Sequence, residues 1–180
     1  MKAAFLPPLA ALALYAGAAI VPFESGEQVQ AQRARAPSWA TRNYVMKAGA
    51  ADLYEIRSSE IALRRARRAD VRELAQMLIR DHRRTTAEVT VAARADGVPV
   101  RPPMLEAVQR NMIRQLERSG PAMFDRLYLS QQFTAHNQAL MLHRNYARRG
   151  DARALRRTAA GAVPIIQGHI AHVRRLQGMR

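Results

Sequence analysis

The spacing of apolar residues between positions 38 and 177 is the feature that most constrains how this chain folds. Apolar side chains recur every three or four residues throughout this stretch, and β-branched residues are few. A repeat near 3.6 residues places these side chains on one face of an α-helix, whereas a half-buried strand requires strict alternation. The sequence therefore predicts an all-α protein.

Turn residues divide the stretch into four long helices and one short helix. Proline and glycine mark most of the boundaries, and very short turns at Ala69 and Gly150 join the helices in pairs. Helices joined by short turns pack as antiparallel neighbours. The predicted fold is an antiparallel four-helix bundle with a short accessory helix between the second and third long helices. The long helices are predicted over residues 39–68, 70–97, 122–149 and 151–177, and the accessory helix over 104–118.

The first part of the chain has the pattern of an export signal. Lys2 supplies a positive charge, and residues 9–21 are uncharged and mostly apolar, which is shorter than the about 20 residues that span a membrane. Cleavage is expected after Ala31, with Ala18 as the alternative site and an uncleaved anchor as the alternative fate. The predicted organisation is a signal peptide and linker start over 1–31, a linker over 32–37 and a helical domain over 38–177, located in the periplasm or otherwise exported.

The chain contains no cysteine. Export usually favours disulfides, so the stability of this protein must come from packing alone. Thiol catalysis and cysteine zinc motifs are excluded. Any metal ion must be held by His, Asp, Glu or Tyr side chains.

The charge of the protein is strongly positive. There are 29 basic residues against 14 acidic ones, a formal net charge of +15, and all but two of the basic residues are arginine. The few aromatic residues do not alternate with the arginines as a nucleic-acid stacking surface requires, so nucleic acid is not an expected partner. The arginines predict either a solvated surface or peripheral attachment to an anionic envelope surface, which salt would weaken. Integral insertion into a membrane is not expected.

Four ionisable residues occupy core-facing positions near the middle of the four long helices: Glu55, His82, His136 and His169. A buried polar group without a partner costs roughly 2 to 7 kcal/mol, so such residues must bond one another or a metal ion. With a rise of about 1.5 Å per residue, Glu55 and His82 lie at nearly one depth, whereas His136 and His169 differ by roughly 7 Å. The four residues are predicted metal ligands for zinc, copper or iron.

A structural role for the same residues is the alternative. Glu55 would then pair with His82, and His136 and His169 would bond buried hydroxyls or carbonyls such as those of Ser59 and Tyr128. The other acids close in depth on the first two helices are Asp52 and Asp81, while His143 and His172 fall nearer the polar edges of their helices.

Short motifs distributed along the chain resemble one known family. They are residues 55–59, 71–77 and 81–82 in the first half, and 124–128, 131–132, 135–136, 146–147, 150–151, 163–164 and 169–170 in the second half. Together they resemble the bacterial exported family called domain of unknown function 4142, over about residues 40–176. That family is similar to ferritin-like helical bundles and has no settled activity, so the resemblance implies a fold and no function.

The chain departs from the ligand pattern of ferritin-like di-iron proteins. Those proteins carry Glu-x-x-His on two helices, whereas Ile79, Phe133 and Ile166 stand three residues before the three histidines. A di-iron centre is therefore not expected.

No enzyme motif is present in the sequence. A glycine-rich phosphate loop, a Gly-x-Ser-x-Gly turn and a His-Glu-x-x-His segment are all missing. The predicted function is that of a noncatalytic, exported envelope protein with a structural or interaction role. The first alternative is a metal-binding protein with a Glu/His site inside the bundle, and the second is a ferritin-like redox enzyme.

Overall fold

The computed structural model of the protein describes residues 36–178, which fold into five helices without a strand. The helices are α1 (Trp39–Arg65), α2 (Ala69–Ala95), α3 (Ala107–Arg118), α4 (Pro121–Arg149) and α5 (Arg153–Leu176). The prediction of an all-α protein is confirmed. None of these helices has the length and apolar character that a membrane span needs. The predicted signal peptide and residues 32–35 of the linker lie outside the described residues.

The four long helices each pack against two others. Helix α1 contacts α2 and α4, and α5 contacts α4 and α2, while the short α3 lies against α1 and α4. Burial of one apolar face of each helix drives this arrangement, because a helix in a protein gains most of its stability from packing that face against other elements.

The interior contains two main apolar clusters with polar residues between them. One cluster includes Leu74, Leu116 and Phe124, and the other includes Tyr44 and Leu155. In each long helix, buried polar side chains stand in sequence between the residues of the two clusters: Asp52, Glu55, Ser58 and Ser59 in α1, His82 and Thr85 in α2, Gln131, Gln132, His136 and His143 in α4, and His169 in α5. The apolar ends therefore hold the helices together around a polar middle layer.

Some helices begin at a different residue from the predicted one, because hydrogen bonds at the helix end fix where the helix starts. Helix α3 starts at Ala107, later than predicted, because Glu106 and Gln109 form a reciprocal capping box in which each side chain accepts from the other residue's backbone N–H. Helix α5 has no side-chain cap of its own. Asp96 at the end of α2 accepts instead from the backbone N–H groups of Ala154 and Leu155, at 3.1 and 2.8 Å.

Leu74 tests the contribution of the first apolar cluster. Its side chain is fully buried, so Leu74→Ala is expected to lower the free energy of unfolding by about 2 to 5 kcal/mol through lost burial and the cavity left behind. The change is measured by urea unfolding followed by circular dichroism. The matched control, Val91→Ala on the same helix, removes methyl groups from a side chain that is 65% exposed and should change stability by less than about 0.5 kcal/mol. Equal effects of the two substitutions would contradict this account of the core.

Candidate metal centre

Three imidazole rings from three helices converge in the polar middle layer. His82 on α2, His136 on α4 and His169 on α5 are all buried, and one ring nitrogen of each lies within 4.8 Å of those of the other two. The expected depth difference between His136 and His169 does not separate them, because His136 Nε2 and His169 Nδ1 are 3.2 Å apart. The structure thus brings together three of the four predicted ligand residues.

Each imidazole is held by a hydrogen bond from its outer nitrogen. His82 Nδ1 lies 2.8 Å from Asp52 Oδ1, His136 Nδ1 lies 2.8 Å from the Gln132 carbonyl oxygen, and His169 Nε2 lies 2.9 Å from Asp81 Oδ2. Carboxylate and carbonyl oxygens accept, so each of these nitrogens carries the donated hydrogen. In a neutral imidazole, the other nitrogen then has a lone pair, and the bond made by the outer nitrogen fixes which one that is.

The inner nitrogens are left without suitable partners. When both rings are neutral, the bonds to Gln132 and Asp81 make His136 Nε2 and His169 Nδ1 two facing acceptors, which cannot form a hydrogen bond with one another. His82 Nε2 is buried and has no hydrogen-bonding partner among the described residues. Buried polar atoms are nearly always bonded in native proteins, so this exception requires an explanation.

Burial and neighbouring charges act differently on the three rings. Burial, followed by the charges of His82 and His169, holds the pKa of His136 well below its usual range. Burial also lowers the pKa of His169, against the opposing hydrogen bond to Asp81. Burial lowers the pKa of His82 as well, but the hydrogen bond and charge of Asp52 outweigh it, so this pKa is raised. Burial therefore disfavours the charged forms of His136 and His169, whereas Asp52 favours the charged form of His82.

Asp52 is the residue through which α1 supports the centre. Its Oδ1 accepts from His82, and its Oδ2 accepts from the hydroxyls of Thr85 and Thr86 at 3.1 and 2.9 Å. Sequence reasoning placed Asp52 and Asp81 at the right depth and gave neither a role. Two signals were available: Asp52 stands one helical turn before Glu55, and Asp81 directly precedes His82.

Glu55 lies beside His136 and is not part of the group whose ligand atoms converge within 4.8 Å. Its Oε1 is 3.5 Å from the outer nitrogen of His136, and its Oε2 is buried without a hydrogen-bonding partner among the described residues. The alternative pairing of Glu55 with His82 is wrong, because Asp52 occupies that position. Burial raises the pKa of Glu55 to about 8, against the opposing charge of His82 and a hydrogen bond from Gln132. Its assignment as a ligand, like that of the three histidines, stays a prediction.

The structure bears on two other expectations about polar residues, and it corrects the first and part of the second. His143 is buried, and its Nδ1 lies 3.1 Å from the hydroxyl of Tyr44, so it is not at a polar edge. Ser59 and Tyr128 bond each other at 2.8 Å. His136 bonds a buried carbonyl, as the structural alternative expects, but it is that of Gln132, and His169 bonds Asp81 instead of a hydroxyl or carbonyl.

The donor set fits a transition-metal ion. Histidine ligands of metal ions characteristically donate their second N–H to a carboxylate or a backbone carbonyl, which orients the ring and fixes the tautomer. All three rings here have such a partner. The buried His82 Nε2, which has no hydrogen-bonding partner among the described residues, is positioned to act as a metal ligand. Three imidazole nitrogens suit zinc, copper or iron and leave a further coordination position open.

Comparison with known proteins defines the family. The chain matches the family described as "Domain of unknown function (DUF4142)" over residues 26–176. The protein belongs to this family. The resemblance inferred from its motifs is therefore confirmed, and the family description itself assigns no activity to its members.

Two solved structures are similar in fold to this family member. They are CopM in the Ag-bound form, obtained by co-crystallization, with a TM-score of 0.62, and CopM in the Cu(I)-bound form, with a TM-score of 0.63. Each is 19% identical in sequence, and each match covers 77% of this chain and 96% of the other. Identity at this level shows a shared fold alone. A comparison with curated proteins gives no match.

The raised pKa of Glu55 predicts a specific dependence of metal-free stability on pH. Because this pKa is about 8 in the folded protein and 4.5 in the unfolded chain, its contribution is fully present below pH 4.5 and is lost as the pH rises toward 8. Glu55→Gln removes the ionisation, so the variant should gain stability relative to the wild type as the pH is raised from 5 to 8. Urea unfolding of the metal-free proteins across this range measures the difference.

Glu60→Gln on the same helix is the control for this measurement. The Glu60 side chain is 42% exposed and pairs only loosely with Arg83, so Glu60→Gln should change stability by less than about 0.5 kcal/mol. A pH-independent difference for Glu55→Gln would show that this carboxyl group ionises normally in the folded protein.

Proposed function

We propose that the protein is an exported metal-binding protein. In this proposal, the four long helices form an antiparallel, ferritin-like four-helix bundle that holds one metal ion between His82, His136 and His169. The observation that carries the proposal is the convergence of three inner imidazole nitrogens, each of which has its ring oriented by a separate acceptor.

A bound ion accounts for this arrangement better than a purely structural role does. A structural cluster of histidines would be expected to satisfy its buried atoms, since each unsatisfied one costs about 1 to 3 kcal/mol. Here one inner nitrogen is orphaned and two others face each other as acceptors. A metal ion at this position would displace the proton that Asp52 favours on His82 and would bond all three inner nitrogens.

Copper is the metal that we propose first, with zinc and iron as alternatives. Imidazole nitrogens suit all three metals. The two similar structures are of CopM with silver and with Cu(I), which makes copper the natural first choice in this fold. Glu55 is the proposed fourth ligand. Its Oε2 is buried without a hydrogen-bonding partner among the described residues, and its other carboxylate oxygen, Oε1, lies 3.5 Å from His136 Nδ1.

The proposed role is to hold the ion without catalysing a reaction on a substrate. The three imidazoles are almost completely buried among the described helices. A catalytic metal needs an open position that a substrate can reach. The depth of these rings favours storage, buffering or transfer of the ion over chemistry.

Metal titration tests this function directly. Purified, metal-stripped protein should bind one equivalent of copper, and the Cu(II) form should show hyperfine coupling to imidazole nitrogen in its electron paramagnetic resonance spectrum. Replacing any one of His82, His136 or His169 by alanine should weaken binding by more than about 100-fold, which exceeds the loss typical of residues that only orient a ligand.

His143→Gln is the matched control for the titration. His143 is also a buried histidine on α4, but it bonds Tyr44 and is not part of the converging group. The variant should bind copper with nearly wild-type affinity. The proposal fails if the wild type binds copper, zinc and iron no more tightly than about millimolar, or if all four variants lose affinity equally.

We also propose that the exported protein associates peripherally with anionic envelope surfaces. The support for this is its net charge of +15, carried almost entirely by arginine. Cations near a membrane are attracted to anionic lipid headgroups over about one Debye length.

Vesicle sedimentation tests the association. Binding should be detectable on vesicles containing phosphatidylglycerol at about 50 mM salt and should fall severalfold at about 500 mM salt, where the Debye length is much shorter. Vesicles of phosphatidylcholine alone are the control and should bind little protein. Equal binding to both kinds of vesicle, or binding insensitive to salt, would rule out attachment by charge.

A further inference from the structure

We propose that Asp81 and Arg84 on α2, here called the access pair, form the route by which a cation passes between solvent and the three imidazoles. This inference rests on the proposed metal-binding function and adds the residues that control how fast the ion enters and leaves.

Asp81 is the member of the centre that meets solvent. Its side chain is 21% exposed, whereas those of His82 and His169 are 6% and 5% exposed and that of His136 is fully buried. Asp52 and Glu55 are nearly as buried as the histidines. The Asp81 carboxylate is therefore more accessible to a cation in solution than any of the proposed ligands.

The two oxygens of Asp81 face in different directions. Oδ2 accepts from His169 Nε2 at 2.9 Å, on the buried side. Oδ1 accepts from the Arg84 guanidinium at 3.0 Å, and the Arg84 side chain is 58% exposed. A single carboxylate thus connects an ion pair at the surface to one ring of the proposed centre.

This geometry gives Arg84 the role of a competitor for the incoming ion. The guanidinium occupies the oxygen that a cation would contact first, and it cancels much of the negative charge that would attract one. Ion pairs as exposed as this one are weak and open readily. When Arg84 moves away, Asp81 presents a free carboxylate oxygen that lies next to His169, which is one of the three converging rings.

The chain offers an unusually close control. Arg83 precedes Arg84 on the same turn of α2 and is similarly exposed, but it pairs with Glu60 on α1 at 3.4 Å. Replacing either arginine removes the same charge from nearly the same place. Only the replacement of Arg84 frees Asp81.

The experiment compares exchange rates in Arg84→Gln and Arg83→Gln, with Zn²⁺ as the probe. Uptake is followed by stopped flow with a competing chromophoric chelator, and release is followed by transfer to excess chelator. Arg84→Gln should speed both uptake and release by about 1.5- to 5-fold, the factor that corresponds to an exposed ion pair. The dissociation constant should stay unchanged, because the ion pair limits passage and is not a ligand. Arg83→Gln should behave as the wild type.

Asp81→Asn is the second variant, because it keeps the shape of the side chain and removes its charge. It should slow uptake relative to the wild type, and thermal unfolding establishes that it is folded. Identical rates for the two arginine variants, or wild-type uptake by Asp81→Asn, would overturn the role of the access pair and leave the metal site standing. A wild type that binds no Zn²⁺, copper or iron would overturn both the route and the proposed function.

Discussion

The hydrogen bond between the Asp52 carboxylate and His82 Nδ1 is the interaction on which the centre of the molecule depends. It joins α1 to α2 within an interior where an unpaired charge would be strongly unfavourable, and the hydroxyls of Thr85 and Thr86 saturate the same carboxylate. The bond also determines which nitrogen of His82 turns inward. The tautomer of one ring, the relation of two helices and the availability of a lone pair thus follow from a single contact.

The separation of the apolar ends from the polar middle layer lets the protein stay folded although some buried polar atoms in that layer have no hydrogen-bonding partner among the described residues. The clusters around Leu74 and Tyr44 provide burial at both ends of the long helices. Buried ionisable groups between them can then remain incompletely satisfied without unfolding the chain, as Glu55 Oε2 and His82 Nε2 do. Incomplete satisfaction of this kind is typical of functional sites, where stability is given up for binding.

Much of the fold could be predicted from the sequence, because the helical repeat of apolar residues is a local property that packing rarely overrides. The same repeat correctly placed Glu55, His82, His136 and His169 in the interior. It could not name their partners, since counting residues gives depth along a helix and says nothing about rotamers. Hence Asp52, one turn from Glu55, took the place expected for Glu55 beside His82, and His136 met His169 despite their unequal depths. The burial of His143 was not foreseen, because its hydrogen-bonding partner, Tyr44, is 99 positions away in the sequence.

Asp96 has a consequence for how the chain reaches its folded state. This residue follows the last residue of α2, yet its carboxylate accepts from two amides in the first turn of α5, 58 and 59 positions later. Helix α5 does not itself contain the side-chain acceptor that its first turn uses, so this turn is completed only when α2 has docked. A partly folded chain in which α2 and α5 are not docked lacks these hydrogen bonds and is therefore less stable. This difference in stability favours all-or-none folding, in which the three histidines are brought together in one step or not at all.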